Sequence, residues 1–276
     1  MSNDIWQNKY SIQYRGGFPL RPPQEVANRF EKLVNDINRN ASKPFELTLL
    51  GVTPELALIN WPDNFYLKAF DQSKEMIANV WQSNPKINSS VHLSTWQSLP
   101  LSSHTIDSII GDGCTTQLSD ENAFDLLFTE LNRVLKAEGH IFLRCFIRPE
   151  ETESLFKISE DALTGKIEFF GSLKWRIAMS LVAGNQNMFI HVNEIYKSFN
   201  ELFPDRDSLS KHTKWPIDLI NTISSYQNSS MQYNFPTLKE FEALLPSTIK
   251  IKEIYYDSYE LSERCPVLNL IHASKS

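Results

Sequence analysis

The stretch Thr48–Asp71, TLLGVTPELALINWPDNFYLKAFD, decides the expected fold of this chain. It begins as an apolar strand, turns at Gly51, continues as a short helix that Pro54 opens, and ends in a second strand, Tyr66–Phe70. Asp71 follows Gly51 by twenty residues, about the spacing at which doubly wound α/β proteins place a carboxylate against a ribose hydroxyl. The pattern therefore predicts half of a nucleotide-binding unit.

Strand and helix patterns continue to alternate beyond this stretch. Ser73 can cap the next helix, and a later amphipathic helix that starts near Ser119 has Gly139 as its natural C-terminal stop. The apolar runs predict three further strands, near Ser90–Leu93, Ser108–Ile110 and Ile141–Ile147. Such alternation with short connections is typical of a parallel sheet covered by helices on both faces.

The carboxyl-terminal segment returns to this alternation after a helical stretch. Thr237 and Glu240 have the spacing of a capping box, and two strands follow it, Ile249–Tyr256 and Val267–Ala273. Only about ten residues separate these strands, too few for a helical crossover, so we expect an antiparallel edge pair. The predicted fold is α/β and Rossmann-like: a doubly wound, seven-stranded, mostly parallel sheet with an antiparallel C-terminal strand, plus a helical insertion.

The chain divides into three expected regions. Residues 1–40 form an N-terminal arm and helix, residues 41–150 together with 229–276 form a cofactor-binding domain, and residues 151–228 form a helical insertion that caps the substrate. The arm carries Tyr14 among other aromatic and basic residues. Two interpretations of the arm stay open, a solvated tail and a cover over a ligand.

Composition excludes several classes of function. A formal net charge of -6 and a pI near 5.6 disfavour a nucleic-acid binder, whose phosphate contacts need an excess of basic residues. No apolar run is long enough for a membrane span, no signal peptide is recognisable, and three cysteines without a CxxC pair do not form a disulfide framework. The six histidines show no metal-binding spacing, so no metal is expected. We expect a cytoplasmic monomer or homodimer.

The order of these parts resembles the class I S-adenosylmethionine-dependent methyltransferases, over about residues 45–148 and 236–274. LLGVTPELA stands where that family has its glycine-rich first motif, AFDQSKEMI matches its acidic second-strand segment, and ELNRVLKAEGHIFLR matches its passage into the fifth strand. GVTPELA is also similar to the first motif of a subgroup found in uncharacterised bacterial proteins. Of the family's three glycines only Gly51 remains, because Thr53 and Glu55 replace the other two. Leu49 replaces the acid of the motif.

The resemblance implies S-adenosylmethionine as the cofactor. An acceptor site enclosed by the insertion, together with an acidic chain, favours a small molecule as the substrate. Asp112 is the candidate base or substrate anchor, and an ordinary turn aspartate is the alternative. For Arg144 a structural ion pair is the alternative to a ligand contact. The residues expected at the cofactor are Gly51, Thr53, Glu55, Asp71, Gln72, Met76, Thr95, Trp96 and Asp112. Those expected at the substrate are Tyr14, Arg144, Arg176, His191, Tyr226 and Tyr233.

Two rival functions stay open. The eroded glycine loop also suits a catalytically silent protein with the methyltransferase fold that binds a ligand or a partner. A nicotinamide-dependent oxidoreductase is a weaker alternative, because Thr53 and Leu56 stand where its fingerprint demands glycines.

Overall fold

The computed structural model of the protein describes residues 18–38, 42–184 and 187–273. Its strands lie in two sheets, a large central one and a pair of short strands. In chain order the described strands are β1 (Phe45–Leu50), β2 (Phe65–Asp71), β3 (Asn88–Leu93), β4 (Ile106–Asp112), β5 (Leu135–Arg144), β6 (Phe189–His191), β7 (Gln232–Asn234), β8 (Ile249–Tyr255) and β9 (Val267–His272).

The central sheet has seven strands in the order β3-β2-β1-β4-β5-β9-β8. Strands β1 to β5 are parallel, whereas β9 runs antiparallel to both β5 and β8. The strand order reverses between β1 and β4, where doubly wound sheets bind their ligands. The predicted sheet, including its antiparallel C-terminal strand, is confirmed.

Helices cover both faces of this sheet. Helix α1 (Gln24–Ile37) packs with α2 (Pro54–Ala57) on one face, and α4 (Glu121–Val134) packs on the other; α3 (Lys74–Asn79) follows β2. Ser73 caps α3 by accepting a hydrogen bond from the N–H of Met76. The remaining described helices are α5 (Leu155–Leu163), α6 (Phe170–Ala183), α7 (Val192–Leu202), α8 (Arg206–Thr213), α9 (Ile217–Asn221) and α10 (Leu238–Ala243).

Helices α5 to α9 lie in the segment predicted as a helical insertion, and their hydrophobic core also includes Phe146, Phe235 and Leu261 from the rest of the chain. Helix α6 is buried on almost every side, because its sequence FGSLKWRIAMSLVA is apolar around most of its circumference. Strands β6 and β7 pair antiparallel beside these helices. Each has only three residues, too few to show a strand pattern in the sequence, so this small sheet was not predicted. In the described ranges no helix is both long and apolar enough to cross a membrane.

The end of α4 and the start of β5 differ from the prediction. Helix α4 ends at Val134 and β5 begins at Leu135, so Gly139 lies inside the strand and does not terminate a helix. Leu135 is fully buried opposite Ile106, and the register then shifts at a bulge. A Cβ at Gly139 would stand 2.7 Å from the Leu135 side chain, so crowding beside the bulge explains the glycine. The capping box of Thr237 and Glu240 is confirmed at the start of α10.

Candidate cofactor site at the carboxyl edge of the sheet

Gly51 makes the turn out of β1 with a φ of 92°, a conformation that a residue with a Cβ adopts only with strain. Its N–H donates to the carbonyl of Phe70, 2.8 Å away. A Cβ built on Gly51 would stand 3.9 Å from Oδ2 of Asp71 and 3.9 Å from Cζ2 of Trp96. Gly51, Asp71 and Trp96 thus meet in one corner, as their positions after three neighbouring strands predict.

Asp71 ends β2 with one carboxylate oxygen engaged and the other available. Oδ1 accepts a hydrogen bond from the N–H of Ser73 at 2.8 Å, and no described residue donates to Oδ2, the oxygen that faces Gly51. The side chain is buried, and burial raises the pKa of Asp71 to about 6, against the opposing effect of the Ser73 N–H. A carboxylate oxygen without a donor, on a residue that is mostly buried, favours a ligand that brings hydroxyl donors.

Trp96 closes the third side of this corner. Its indole N–H donates to the carbonyl of Phe70 at 2.7 Å, so one carbonyl holds both Gly51 and Trp96. The half-buried ring therefore offers a ligand its π surface, not its N–H. Thr95 is exposed, and its carbonyl accepts hydrogen bonds from Ser94 and Ser98. A base stacked against Trp96 would be held by shape and dispersion.

The first turn of α2, which follows Gly51, is tied to Arg21 by an ion pair. Thr53 is buried and precedes α2 without a side-chain capping bond. Glu55 accepts a hydrogen bond from Nε of Arg21 at 2.6 Å and also pairs with its Nη2. The carboxylate expected to face the cofactor therefore has a cationic partner, and its contact with a ligand remains a prediction.

Asp112 and Arg144 form an ion pair at the ends of β4 and β5, where they are register partners. Both carboxylate oxygens of Asp112 accept hydrogen bonds from the guanidinium, and the side chains are 2% and 0% exposed. Burial raises the pKa of Asp112, and the charge of Arg144 acts against that rise. Asp112 could act as a base only after Arg144 released one of its oxygens, so that role remains a prediction.

Further groups hold Arg144 in place. Nη2 donates to the carbonyl of Pro19 at 2.8 Å, and Nη1 lies 3.4 Å from the Tyr259 hydroxyl. The ring of Phe146 lies 5.2 Å from the guanidinium carbon, and a Cβ on Gly113 would be only 2.8 Å from that ring. The alternative of a structural ion pair for Arg144 therefore has direct geometric support.

The other predicted site residues fall into different surroundings. Gln72 is exposed beside Asp71, whereas Met76 is buried against Val52 and Val80. Arg176 pairs with Glu153 and Asp161 inside the insertion.

His191 is exposed at the start of α7, with Nε2 2.9 Å from the side-chain amide of Gln232. Tyr226 and Tyr233 are buried, with ring centroids 6.1 Å apart. Tyr14 lies outside the described residues. The structure thus joins Gly51, Asp71 and Trp96 at one edge of the sheet. It divides the described substrate candidates between the end of β5 (Arg144), β7 (Tyr233) and the insertion (Arg176, His191 and Tyr226).

Among the described residues, no group of three or more His, Cys, Asp or Glu side chains is placed to hold a metal ion. Sequence reasoning missed Phe146, which closes over Arg144, and Lys174, which is buried in the insertion. A lone lysine within the apolar run of α6 was the available signal for Lys174.

Comparison with known proteins gives a family match over part of the chain. Residues 51–143, about a third of the sequence, match the model of a methyltransferase domain family. The matched segment begins at Gly51 and contains Asp71, Trp96 and Asp112, so it spans the whole corner described above. No curated protein matches the sequence.

Solved structures with the same fold are numerous but distant. A Rhodobacter sphaeroides protein provisionally described as a zinc-dependent alcohol dehydrogenase is 10% identical, with a TM-score of 0.61 over 99% of this chain and 100% of its own. The CurJ carbon methyltransferase is 12% identical, with a TM-score of 0.51 over 96% of this chain and 58% of its own. CalO1, a methyltransferase in calicheamicin biosynthesis solved in its S-adenosylhomocysteine-bound form, is 11% identical, with a TM-score of 0.48 over 90% of this chain and 54% of its own. At these identities the likeness to the first two structures shows the fold alone.

Proposed function

We propose that this protein is an S-adenosylmethionine-dependent methyltransferase that acts on a small-molecule acceptor. The observation that carries the proposal is the corner of Gly51, Asp71 and Trp96, which lies inside the segment that matches a methyltransferase domain. At this corner a ligand can approach the backbone of Gly51 closely, and a carboxylate oxygen of Asp71 and the ring of Trp96 lie within a few ångströms of that position. A nucleoside needs these three kinds of contact.

The residues present fit that cofactor. Oδ2 of Asp71 would accept hydrogen bonds from the ribose hydroxyls, and the π surface of Trp96 would lie against the adenine. Gly51 would let the ligand approach the backbone in the space that a Cβ would fill. Thr53 and Glu55 would line the loop on the methionine side, with Glu55 shared between Arg21 and the ligand.

When bound, S-adenosylmethionine supplies a sulfonium methyl group that an acceptor nucleophile takes by in-line displacement, while the electrons of the broken C–S bond return to sulfur. The protein's main task in such a transfer is to hold the two partners in line, which can be worth several kcal/mol. This explains why no obligatory catalytic residue is evident in the site. The buried pair of Asp112 and Arg144 would form a rigid wall beside the reacting groups.

The insertion supports an enclosed acceptor site. The N-terminal turn of α6 lies directly against the backbone of Phe18, and the neighbouring carbonyl of Pro19 is hydrogen-bonded to Arg144. The carboxylate of Glu260, in the loop between β8 and β9, accepts the N–H groups of Glu168 and Phe169 just before α6. The insertion is thus fixed beside the carboxyl edge of the sheet, where it would exclude water and select a small acceptor.

Thermal unfolding of the full chain with and without S-adenosylhomocysteine tests the proposal. We expect a concentration-dependent rise in Tm with S-adenosylhomocysteine and none with NADH, because a ligand that binds only the folded state stabilises it. A rise with NADH alone would favour an oxidoreductase. Binding of S-adenosylhomocysteine without methyl transfer to any acceptor in a metabolite extract would favour the catalytically silent alternative.

A further inference from the structure

Lys174 is a buried cation without a counter-ion. It lies in α6, its side chain is 2% exposed, and no hydrogen bond or ion pair joins its ammonium group to any described residue. A buried charge costs much free energy unless an opposite charge or hydrogen bonds compensate it. Among the described residues Arg144 is the other buried basic side chain, and it has a carboxylate partner in Asp112.

Two aromatic rings lie near this ammonium group. Nζ of Lys174 lies 5.5 Å from the ring centroid of Phe170 and 5.5 Å from that of Tyr226. Cation–π attraction offsets part of the burial cost. The burial cost that remains lowers the pKa of Lys174 to about 8, so the side chain is charged at neutral pH. The ammonium group and the two rings could therefore contact a ligand, and no described residue supplies an anion to the ammonium group.

Other buried donors in the same core also lack partners. The indole N–H of Trp175 and the hydroxyl of Ser198 make no hydrogen bond with any part of the chain that the structure describes. Trp175 follows Lys174 in α6, but successive helical side chains point in different directions, and its ring reaches Lys174 only through those of Tyr233 and Tyr226. Ser198 lies on α7 before Phe199, whose ring centroid is 5.7 Å from that of Phe170. A ligand suited to these groups brings acceptors rather than donors.

This region adjoins the proposed methyl-transfer site. The ring of Trp175 packs at 5.2 Å against Phe146, which covers Arg144 and Gly113 at the end of β4. On its other side Trp175 packs against Tyr233, which packs in turn against Tyr226. A continuous layer of aromatic rings therefore connects Lys174 with the carboxyl edge of the sheet.

We propose that Lys174 anchors a carboxylate group of the acceptor substrate, whose apolar or aromatic body lies among Phe170, Tyr226 and Trp175. This inference rests on the proposed function, since it names the chemical class of that function's substrate. A single ammonium group balances the charge of a carboxylate, whereas a phosphate would leave negative charge uncompensated in a buried site. The ligand would supply the counter-ion that the described residues do not.

Carboxylate probes test this site without knowledge of the natural substrate. Tm is measured for the full chain with acetate and with benzoate, each beside its uncharged analogue, acetamide or benzamide, at equal ionic strength. Three proteins are compared: the wild type, Lys174→Met, and the control Lys197→Met, which removes an exposed lysine from the neighbouring helix α7. Near-ultraviolet circular dichroism shows that each variant keeps its tertiary packing.

The expected result is a rise in Tm with at least one carboxylate and not with its amide, present in the wild type and in Lys197→Met and lost in Lys174→Met. No response of the wild type to either carboxylate, an equal response to the amides, or a response that survives Lys174→Met would overturn the inference. S-adenosylhomocysteine binding is measured on the same three proteins. If Lys174→Met loses the carboxylate response but binds S-adenosylhomocysteine as the wild type does, the carboxylate site and the cofactor site are separate. Failure of S-adenosylhomocysteine to bind the wild type would refute the proposed function and leave the carboxylate test unaffected.

Discussion

Gly51 and Asp71 are twenty residues apart in the sequence, yet a Cβ on Gly51 would stand 3.9 Å from Oδ2 of Asp71. The parallel register that pairs Leu50 with Phe70 brings them together, and the carbonyl of Phe70 holds the turn by accepting the Gly51 N–H. The glycine leaves room in front of a carboxylate oxygen that has no donor among the described residues. This relationship is the physical basis for a nucleoside site.

Replacing Gly51 with alanine separates backbone strain from ligand exclusion. Gly165 is a matched control, because it also has a positive φ, 75°, but nothing lies within 4 Å of its Cβ position. Both Gly51→Ala and Gly165→Ala should lower the free energy of unfolding by about 1–3 kcal/mol through strain. Only Gly51→Ala should also weaken S-adenosylhomocysteine binding, measured by calorimetry. Equal affinities in the two variants would show that the space in front of Gly51 is not used.

Cofactor binding should depend on the ionisation of Asp71. Its pKa in the folded protein, about 6, lies above the ordinary 3.8, so between these values the folded protein holds the proton that the unfolded chain releases. Ribose hydroxyls bind the ionised carboxylate best, and affinity for S-adenosylhomocysteine should therefore fall as the pH drops below about 6. Asp71→Asn should flatten this dependence. A wild-type affinity that stays constant between pH 5 and 7.5 would contradict it.

The pair of Asp112 and Arg144 should behave as one unit. Either Asp112→Asn or Arg144→Met leaves an uncompensated buried group and should cost about 3–5 kcal/mol of unfolding free energy. The double variant should cost clearly less than the sum of the two, because no unpaired charge remains. Urea unfolding of the four proteins measures the coupling. Additive losses would mean that the two side chains do not depend on each other.

Lys174 should give the protein an alkaline rise in stability. Its pKa in the folded protein is about 8 and its ordinary value is 10.5, so between these pH values the unfolded chain binds the proton that the folded protein does not. The free energy of unfolding should then increase with pH across this window, by roughly 3 kcal/mol in total. Lys174→Met should be more stable than the wild type at pH 7 and should lose that increase. Unfolding curves at pH 7, 8, 9 and 10 check this, and parallel pH profiles would contradict a buried, uncompensated lysine.

Much of the sheet could be predicted because its determinants are local. Apolar runs, the turn at Gly51, and the caps at Ser73 and Thr237 each specify an element from neighbouring residues, and the short connections then fix a parallel order. The start of β5 could not be predicted in this way. The sequence around Gly139 also suits a helix end, and only the pairing of Leu135 with Ile106 decides in favour of a strand.

The candidate site is likewise predictable from the sequence only in part. Gly51, Asp71 and Trp96 lie at the ends of neighbouring strands, so their convergence follows from the topology. The partners of charged side chains depend on long-range packing that no spacing reveals. Arg21 reaches Glu55, Arg144 reaches Asp112 and the carbonyl of Pro19, and Lys174 is enclosed by rings from separate helical segments.

The central claim is that the corner of Gly51, Asp71 and Trp96 binds S-adenosylmethionine, and calorimetric titration with S-adenosylhomocysteine tests it most directly. The wild type is compared with Asp71→Ala and with Asp120→Ala, a control that removes an exposed carboxylate which, like Asp71, accepts one backbone N–H through Oδ1. We predict saturable binding to the wild type and to Asp120→Ala, and an affinity about ten- to a hundredfold lower for Asp71→Ala, the loss expected from a charge-assisted hydrogen bond. No heat of binding to the wild type at millimolar ligand, or equal affinity in Asp71→Ala, would contradict the claim.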